Sequence, residues 1–202
     1  MKIAMISTSI ILVGLIGLSF DQYNKHQVYK KELITLRNSY YLYSEVNQRA
    51  QMAQFKESPF INFSLPDLHG NTWTLENIKA KIKIIVLFSA NDCATCLQEY
   101  ILWKKINNVF NISDIQIIGI NHDPKINSLI NFKEDRKIEF PILHDPEDII
   151  RKTLGWQNSP LRITLNENNE ILEVEKSGSN LESQKTYLKQ LKNWLFRTDD
   201  NQ

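Results

Sequence analysis

Apolar residues fall along this chain in three successive textures. Ile3 to Phe20 is uncharged and dominated by Ile, Leu, Val, Met and Gly, a run close to the roughly 20 residues needed to cross a bilayer. Asp21 to Lys56 holds no Gly or Pro, and Tyr29, Leu33, Leu36, Tyr40, Tyr43, Asn47 and Ala50 recur at alternating four-three spacing. That is the spacing of a coiled-coil seam with one polar register position. It suits a homodimeric coil and an amphipathic stalk that packs on its own domain equally well. Glu57-Ser58-Pro59 ends the helical texture.

From there short apolar runs alternate with helical patterns. Phe63-Ser64-Leu65 and Thr72-Trp73-Thr74 flank a loop with Gly70-Asn71 and predict a hairpin, followed by a short helix over Leu75 to Lys79. Strands are expected at Ile84 to Phe88, Ile115 to Ile120, Pro141 to Leu143, Leu161 to Leu165 and Glu170 to Glu175. Helices are expected at Ala94 to Phe110, Lys125 to Arg136, Glu147 to Leu154 and Asn180 to Leu195. Asn166-Glu167-Asn168-Asn169 joins the last two strands as a tight turn. Strand-helix alternation that ends in a hairpin and a helix implies an α/β fold with a mixed sheet, parallel in its first part, and helices on both faces. The expected domains are a transmembrane helix over 1–20, a helical stalk over 21–56 and an α/β domain over 57–198.

Composition changes this picture little. The 202 residues carry a net charge of +1 with Lys, Glu and Asp interspersed, which gives no electrostatic case for nucleic acid. The apolar N-terminal run is read as an uncleaved signal anchor, because Leu15 to Phe20 offers a poor small-residue cleavage pattern. A cleaved signal peptide and a buried core helix are the alternatives. A very short N-terminal tail favours its retention in the cytoplasm, which puts the remainder on the extracytoplasmic side, where disulfide chemistry is usual.

Cys93 and Cys96 are the two cysteines of the chain, and Cys93-Ala94-Thr95-Cys96 lies at a strand-to-helix junction. The first turn of a helix leaves unpaired N–H groups and the positive end of the macrodipole, which favour a thiolate. Cysteines three apart there can divide the work, one attacking a partner's disulfide and the other resolving the mixed disulfide. A zinc site also uses this spacing, but no second C-x-x-C or H-x-H follows. His69, His122 and His144 are scattered without metal-ligand spacing, His26 lies in the stalk, and the four tryptophans read as packing residues.

The strand, Cys93-Ala94-Thr95-Cys96 and helix order, the preceding hairpin and Asn158-Ser159-Pro160-Leu161 together make residues 57–198 resemble a thioredoxin-like domain of the TlpA/ResA type. That family comprises membrane-tethered thiol-disulfide oxidoreductases working outside the cytoplasmic membrane. The resemblance implies that Pro160 is a cis proline beside the disulfide and that the backbone of Ser159 pairs with an incoming substrate strand. It implies that Glu99, three residues after Cys96, assists proton movement at the cysteines; the plain alternative is a solvent-facing helix glutamate. It implies a disulfide-bearing protein substrate and a transmembrane electron donor, and no organic cofactor or metal.

Three positions depart from the family pattern: Asp92 stands where Trp is usual, Ala94-Thr95 lacks Pro, and Leu87 occupies a position that is acidic in thioredoxin. Asp92 as helix N-cap would compete with Cys93 for the first-turn donors and add a like charge. The expected couple is therefore more reducing, and the expected direction reductive. A peroxiredoxin-like peroxidase is a second reading, against which Val86 and Ala90 stand where that signature has Pro and Thr or Ser. A Sco-like copper-binding assembly factor is a third; it would need C-x-x-x-C and a late histidine, and none follows His144. A redox-dead adaptor is disfavoured by the intact cysteines.

Overall fold

The structure, a computed structural model, describes residues 19–40, 43, 50, 55–91, 96–156, 160–176 and 181–199. The chain separates into two compact units, Met1–Gln51 and Met52–Gln202. In the first, residues 19–40 form a helix, α1. Tyr29, Leu33, Leu36 and Tyr40 of the expected seam are all exposed on it, and Asn47 lies outside the described residues. Among the described residues no helix is long and apolar enough to cross a membrane. The expected span falls outside the described residues except for Ser19 and Phe20.

The second unit is the expected mixed sheet. Strands β1 (Ser64–Pro66) and β2 (Thr72–Thr74) pair as the predicted antiparallel hairpin, with Gly70 at φ 84° in its loop. Asp67 closes that loop by accepting hydrogen bonds from the backbone of His69 and Asn71 and from the Asn71 and Trp73 side chains. Burial works to raise its pKa, but those donors outweigh it and hold the carboxyl at about 2. The helix expected at Leu75 to Lys79 is a single 3-10 turn over Leu75–Asn77.

The main sheet runs β5 (Ile142–His144), β4 (Ile115–Asn121), β3 (Ile82–Phe88), β6 (Leu161–Leu165), β7 (Ile171–Lys176). β3, β4 and β5 are mutually parallel, β6 is antiparallel to β3, and β7 is antiparallel to β6. All seven residues of β3 are buried, as expected of a central strand covered on both faces. Alternation along the strands divides the core. Ile84, Val86 and Phe88 pack with Leu102, Trp103 and Ile106 of α2 (Cys96–Val109), Leu129 of α3 (Ile126–Arg136), and Tyr187 and Leu191 of α5 (Leu181–Asp199). Ile85 and Leu87 face the other way, towards Phe60, Phe63, Leu75, Trp156 and Ile150 of α4 (Ile149–Thr153).

Boundaries shift where a polar residue is taken into the core. β3 starts two residues earlier than expected because Lys83, only 2% exposed, is taken into the sheet with its Nζ donating to the Glu167 carbonyl at 2.9 Å and Asn169 Oδ1 at 2.5 Å. α4 starts two residues later than expected because Asp148 adopts a left-handed conformation, φ 56°. The buried Asp145 carboxylate then accepts from the first two helical N–H groups, Ile149 and Ile150. α5 continues to Asp199, past the expected end at Leu195.

At Gly119 of β4, an added Cβ would lie 3.0 Å from Phe88 Cε1 and 3.3 Å from Phe140 Cε2. Both rings are held in the core, Phe140 edge-on to Trp103 at 5.5 Å. Gly119→Ala is therefore expected to destabilise by about 1–3 kcal/mol through overpacking. A lowered urea midpoint at unchanged slope would confirm it.

Candidate functional site

The register of β3 against β6 brings the two chemically informative segments together. Leu87 pairs with Leu161, so Pro160, buried immediately ahead of β6, lies level with the C-terminal end of β3, from which the chain leaves towards the cysteines. Cys96 is the first residue of α2. Asp92, Cys93 and Ser159 lie outside the described residues. The sequence thus puts its C-x-x-C segment at the carboxyl end of a central parallel strand, where open α/β sheets place ligands and reacting groups.

Just past the C-terminal end of β3 is a buried polar cluster that sequence reasoning missed. Asp123, 4% exposed after the end of β4, accepts from Ser89 Oγ at 2.5 Å, from the Ala90 backbone N–H at 2.6 Å and from Asn121 Nδ2 at 3.0 Å. Asn91 N–H donates to Ser89 Oγ, and Asn121 Nδ2 also donates to the Phe88 carbonyl. His144 Nε2 lies 2.8 Å from the Asp123 carbonyl oxygen. Burial pushes the Asp123 pKa up, yet the donors from Ser89, Asn121, Ala90 and Asn91 more than offset it, and the net direction is down. One carboxylate therefore fixes the backbone of residues 89–91, the last stretch before the cysteine segment. The sequence signal was weak: Asn121-His122-Asp123-Pro124 reads as an ordinary turn.

Glu99 is not the solvent-facing glutamate of the plain alternative. It is fully buried, and its Oε2 accepts from Arg162 Nη1 at 3.0 Å. Arg162 of β6 is itself 1% exposed. Its Nη2 donates to Glu175 of β7, and its guanidinium lies 3.7 Å from the ring centroid of Tyr187 on α5, a cation–π arrangement. Tyr187 Oη and Thr164 Oγ1 are 2.7 Å apart, and burial above all pushes the Tyr187 pKa up. Arg162 escaped sequence reasoning because Leu161-Arg162-Ile163-Thr164-Leu165 reads as a strand with a solvated polar face. Here α2 and α5 cover that face.

Glu99, Pro160 and Cys96 therefore sit on adjoining elements at one end of the sheet. Among the described residues no group of three or more His, Cys, Asp or Glu side chains could hold a metal ion.

The AhpC/TSA family model matches residues 57–178, more than half of the chain. The chain belongs to the AhpC/TSA family. Two proteins from two strains of Mycobacterium tuberculosis, provisionally named peroxiredoxins, share 26% identity over 85 residues, 42% of this chain and 54% of theirs. The chain thus spans about half the length of the curated relatives it matches. Among solved structures, a Chlorobium tepidum protein provisionally named thiol:disulfide interchange protein DsbE superposes with a TM-score of 0.64 at 17% identity, covering 69% of this chain and 97% of that one. The thioredoxin domain of a thiol-disulfide oxidoreductase from Bacteroides vulgatus gives 0.56 at 19% identity over 72% and 96%. At these identities the likeness is one of fold. The thioredoxin-like fold and the redoxin family expected from the sequence are borne out.

Proposed function

We propose that this AhpC/TSA-family protein is a membrane-anchored, extracytoplasmic thiol-disulfide oxidoreductase acting reductively on a protein substrate. The observation that carries the reading is the β3–β6 register, which sets buried Pro160 beside the strand end that leads to Cys93 and opens α2 at Cys96. The Cys93 thiolate attacks one sulfur of a substrate disulfide and the other sulfur leaves as a thiolate, giving a mixed disulfide. Cys96 then gives up its proton and attacks the Cys93 sulfur, releasing the substrate as a dithiol. The two electrons the substrate gains are lost by the cysteine pair, which ends as a disulfide. A transmembrane electron donor would restore it. Ser159 and Pro160 present the docking edge, and Glu99 lies one turn past Cys96. Ile3 to Phe20 anchors the chain in the membrane and α1 belongs to the helical stalk, with a homodimer through the stalk as one arrangement.

The names of the Mycobacterium tuberculosis relatives favour one rival, a peroxidase. Against it, the positions where that signature has Pro and Thr or Ser are Val86, fully buried within β3, and Ala90, whose N–H is spent on Asp123.

A Cys96→Ser variant, which cannot resolve, is expected to accumulate mixed disulfides through Cys93 that dithiothreitol releases, while Cys93→Ser accumulates none. The reduced wild-type protein is expected to reduce insulin disulfides and to leave hydrogen peroxide untouched. Rapid peroxide consumption without insulin reduction would replace this reading with the peroxidase.

A further inference from the structure

We infer that Arg162 is a positioning residue for the cysteine pair: it holds Glu99 in a buried ion pair one helical turn past Cys96 and so sets the charge under which the thiols titrate. The inference rests on the reading of Cys93 and Cys96 as the redox couple.

Two observations make the pair more than packing. Arg162 extends from β6 only two residues after Pro160, and Glu99 lies three residues after Cys96, so the pair joins the two segments expected to meet the substrate. Both side chains are also essentially without solvent, at 1% and 0% exposure. Burying two full charges costs several kcal/mol of desolvation per ion, which their attraction repays only with good geometry, and apolar residues of like volume serve stability as well or better. A core that needed only packing there would not require a guanidinium. The charged and titratable groups facing Arg162 are Glu99 from α2, Glu175 and Glu173 from β7, and Tyr187 from α5. Burial first, and then Glu175, pushes the Glu173 pKa up, while Glu99 and Glu175 are the carboxyl groups that Arg162 contacts directly.

The consequence is a signed prediction. Without the guanidinium, Glu99 either stays ionised and repels a thiolate or takes up a proton that must be lost as the thiols titrate; both move the thiol titration to higher pH. Without the Glu99 charge, Arg162 acts alone and the titration moves lower. With both removed the two effects cancel.

The test is the thiolate absorbance of the reduced full-length protein against pH, with iodoacetamide alkylation rates as a second reading. Arg162→Gln is expected to raise the thiol midpoint by about one unit, a tenfold loss of thiolate at neutral pH. Arg162→Lys should stay close to wild type, Glu99→Gln should move it down, and Glu99→Gln with Arg162→Gln together should return it to the wild-type position. If Arg162→Gln fails to fold, Glu99→Gln and Arg162→Lys carry the test. A wild-type midpoint in Arg162→Gln, or in Glu99→Gln where that is the variant that folds, overturns the inference. Neither titration needs a substrate, so an oxidoreductase reading that failed in the insulin assay would be told apart from a failure of Arg162 to act on the thiols.

Discussion

Asp123→Ala is expected to destabilise the domain by about 3–5 kcal/mol and to lower disulfide reduction by about a hundredfold in whatever fraction remains folded. The stability figure follows from the donors left behind. Ser89 Oγ, the Ala90 N–H and Asn121 Nδ2 all point at this carboxylate, and each buried donor without an acceptor costs about 1–3 kcal/mol. Asn121 retains the Phe88 carbonyl, so the loss is less than three full penalties. The activity figure follows from position. Residues 89–91 are the last described stretch before Cys93, and a displacement of about 1 Å in a reacting group can cost about a hundredfold.

The same carboxylate supplies a pH dependence with a definite sign. Its pKa is lower folded than unfolded, through the donors that overcome burial. Its stabilisation is then fully present above the ordinary aspartate value of about 3.9 and is lost as pH falls through the lowered folded value. Acid unfolding of the wild type should steepen in that window, and Asp123→Ala should flatten it there. Asp67 in the hairpin, held at about 2, contributes in the same sense and survives in the variant. The effect of Asp123 is therefore read from the difference between the two proteins. Urea midpoints from pH 7 down to pH 3 measure it; equal slopes with pH in both proteins would remove Asp123 from the account.

The elements that the sequence predicts well are those where one signal suffices. The hairpin followed from two short strand runs around Gly70-Asn71, and the mixed sheet, parallel in its first part, followed from the alternation of strand and helix periods. What was not legible is polar chemistry moved inside by tertiary packing. Lys83 looks like a strand-ending charge, yet it is capped by the Glu167 carbonyl and Asn169 across the sheet. Asp123 looks like a turn residue, and its partners at Ser89 and Ala90 are more than thirty positions away. Glu99 and Arg162 are 63 residues apart, so periodicity reads each as belonging to a wet face. Cys93 and Cys96 are the reverse case, since the signal they carry in the sequence is wholly local: a three-residue spacing at the start of a helix, which α2 opens at Cys96.

The buried pair should also dominate mutational stability, and with an asymmetry. Arg162→Met is expected to cost about 3–5 kcal/mol, because it leaves the Glu99 carboxylate in the core without its guanidinium and removes the cation over Tyr187. Glu99→Leu should cost less, since Arg162 keeps Glu175, which is 34% exposed and in touch with solvent, as well as the Tyr187 ring. The double variant Glu99→Leu with Arg162→Met should recover most of the loss, because replacing both charges by apolar groups of similar volume removes the desolvation that each single change leaves unbalanced. The coupling in that cycle is then large and of one sign, well beyond the few tenths of a kcal/mol by which independent sites depart from additivity. Urea unfolding of the four proteins at pH 7 measures it. Additive losses would mean that the two charges are stabilised separately by their surroundings, and Arg162 would then have no hold on Glu99 through which to act on the cysteines.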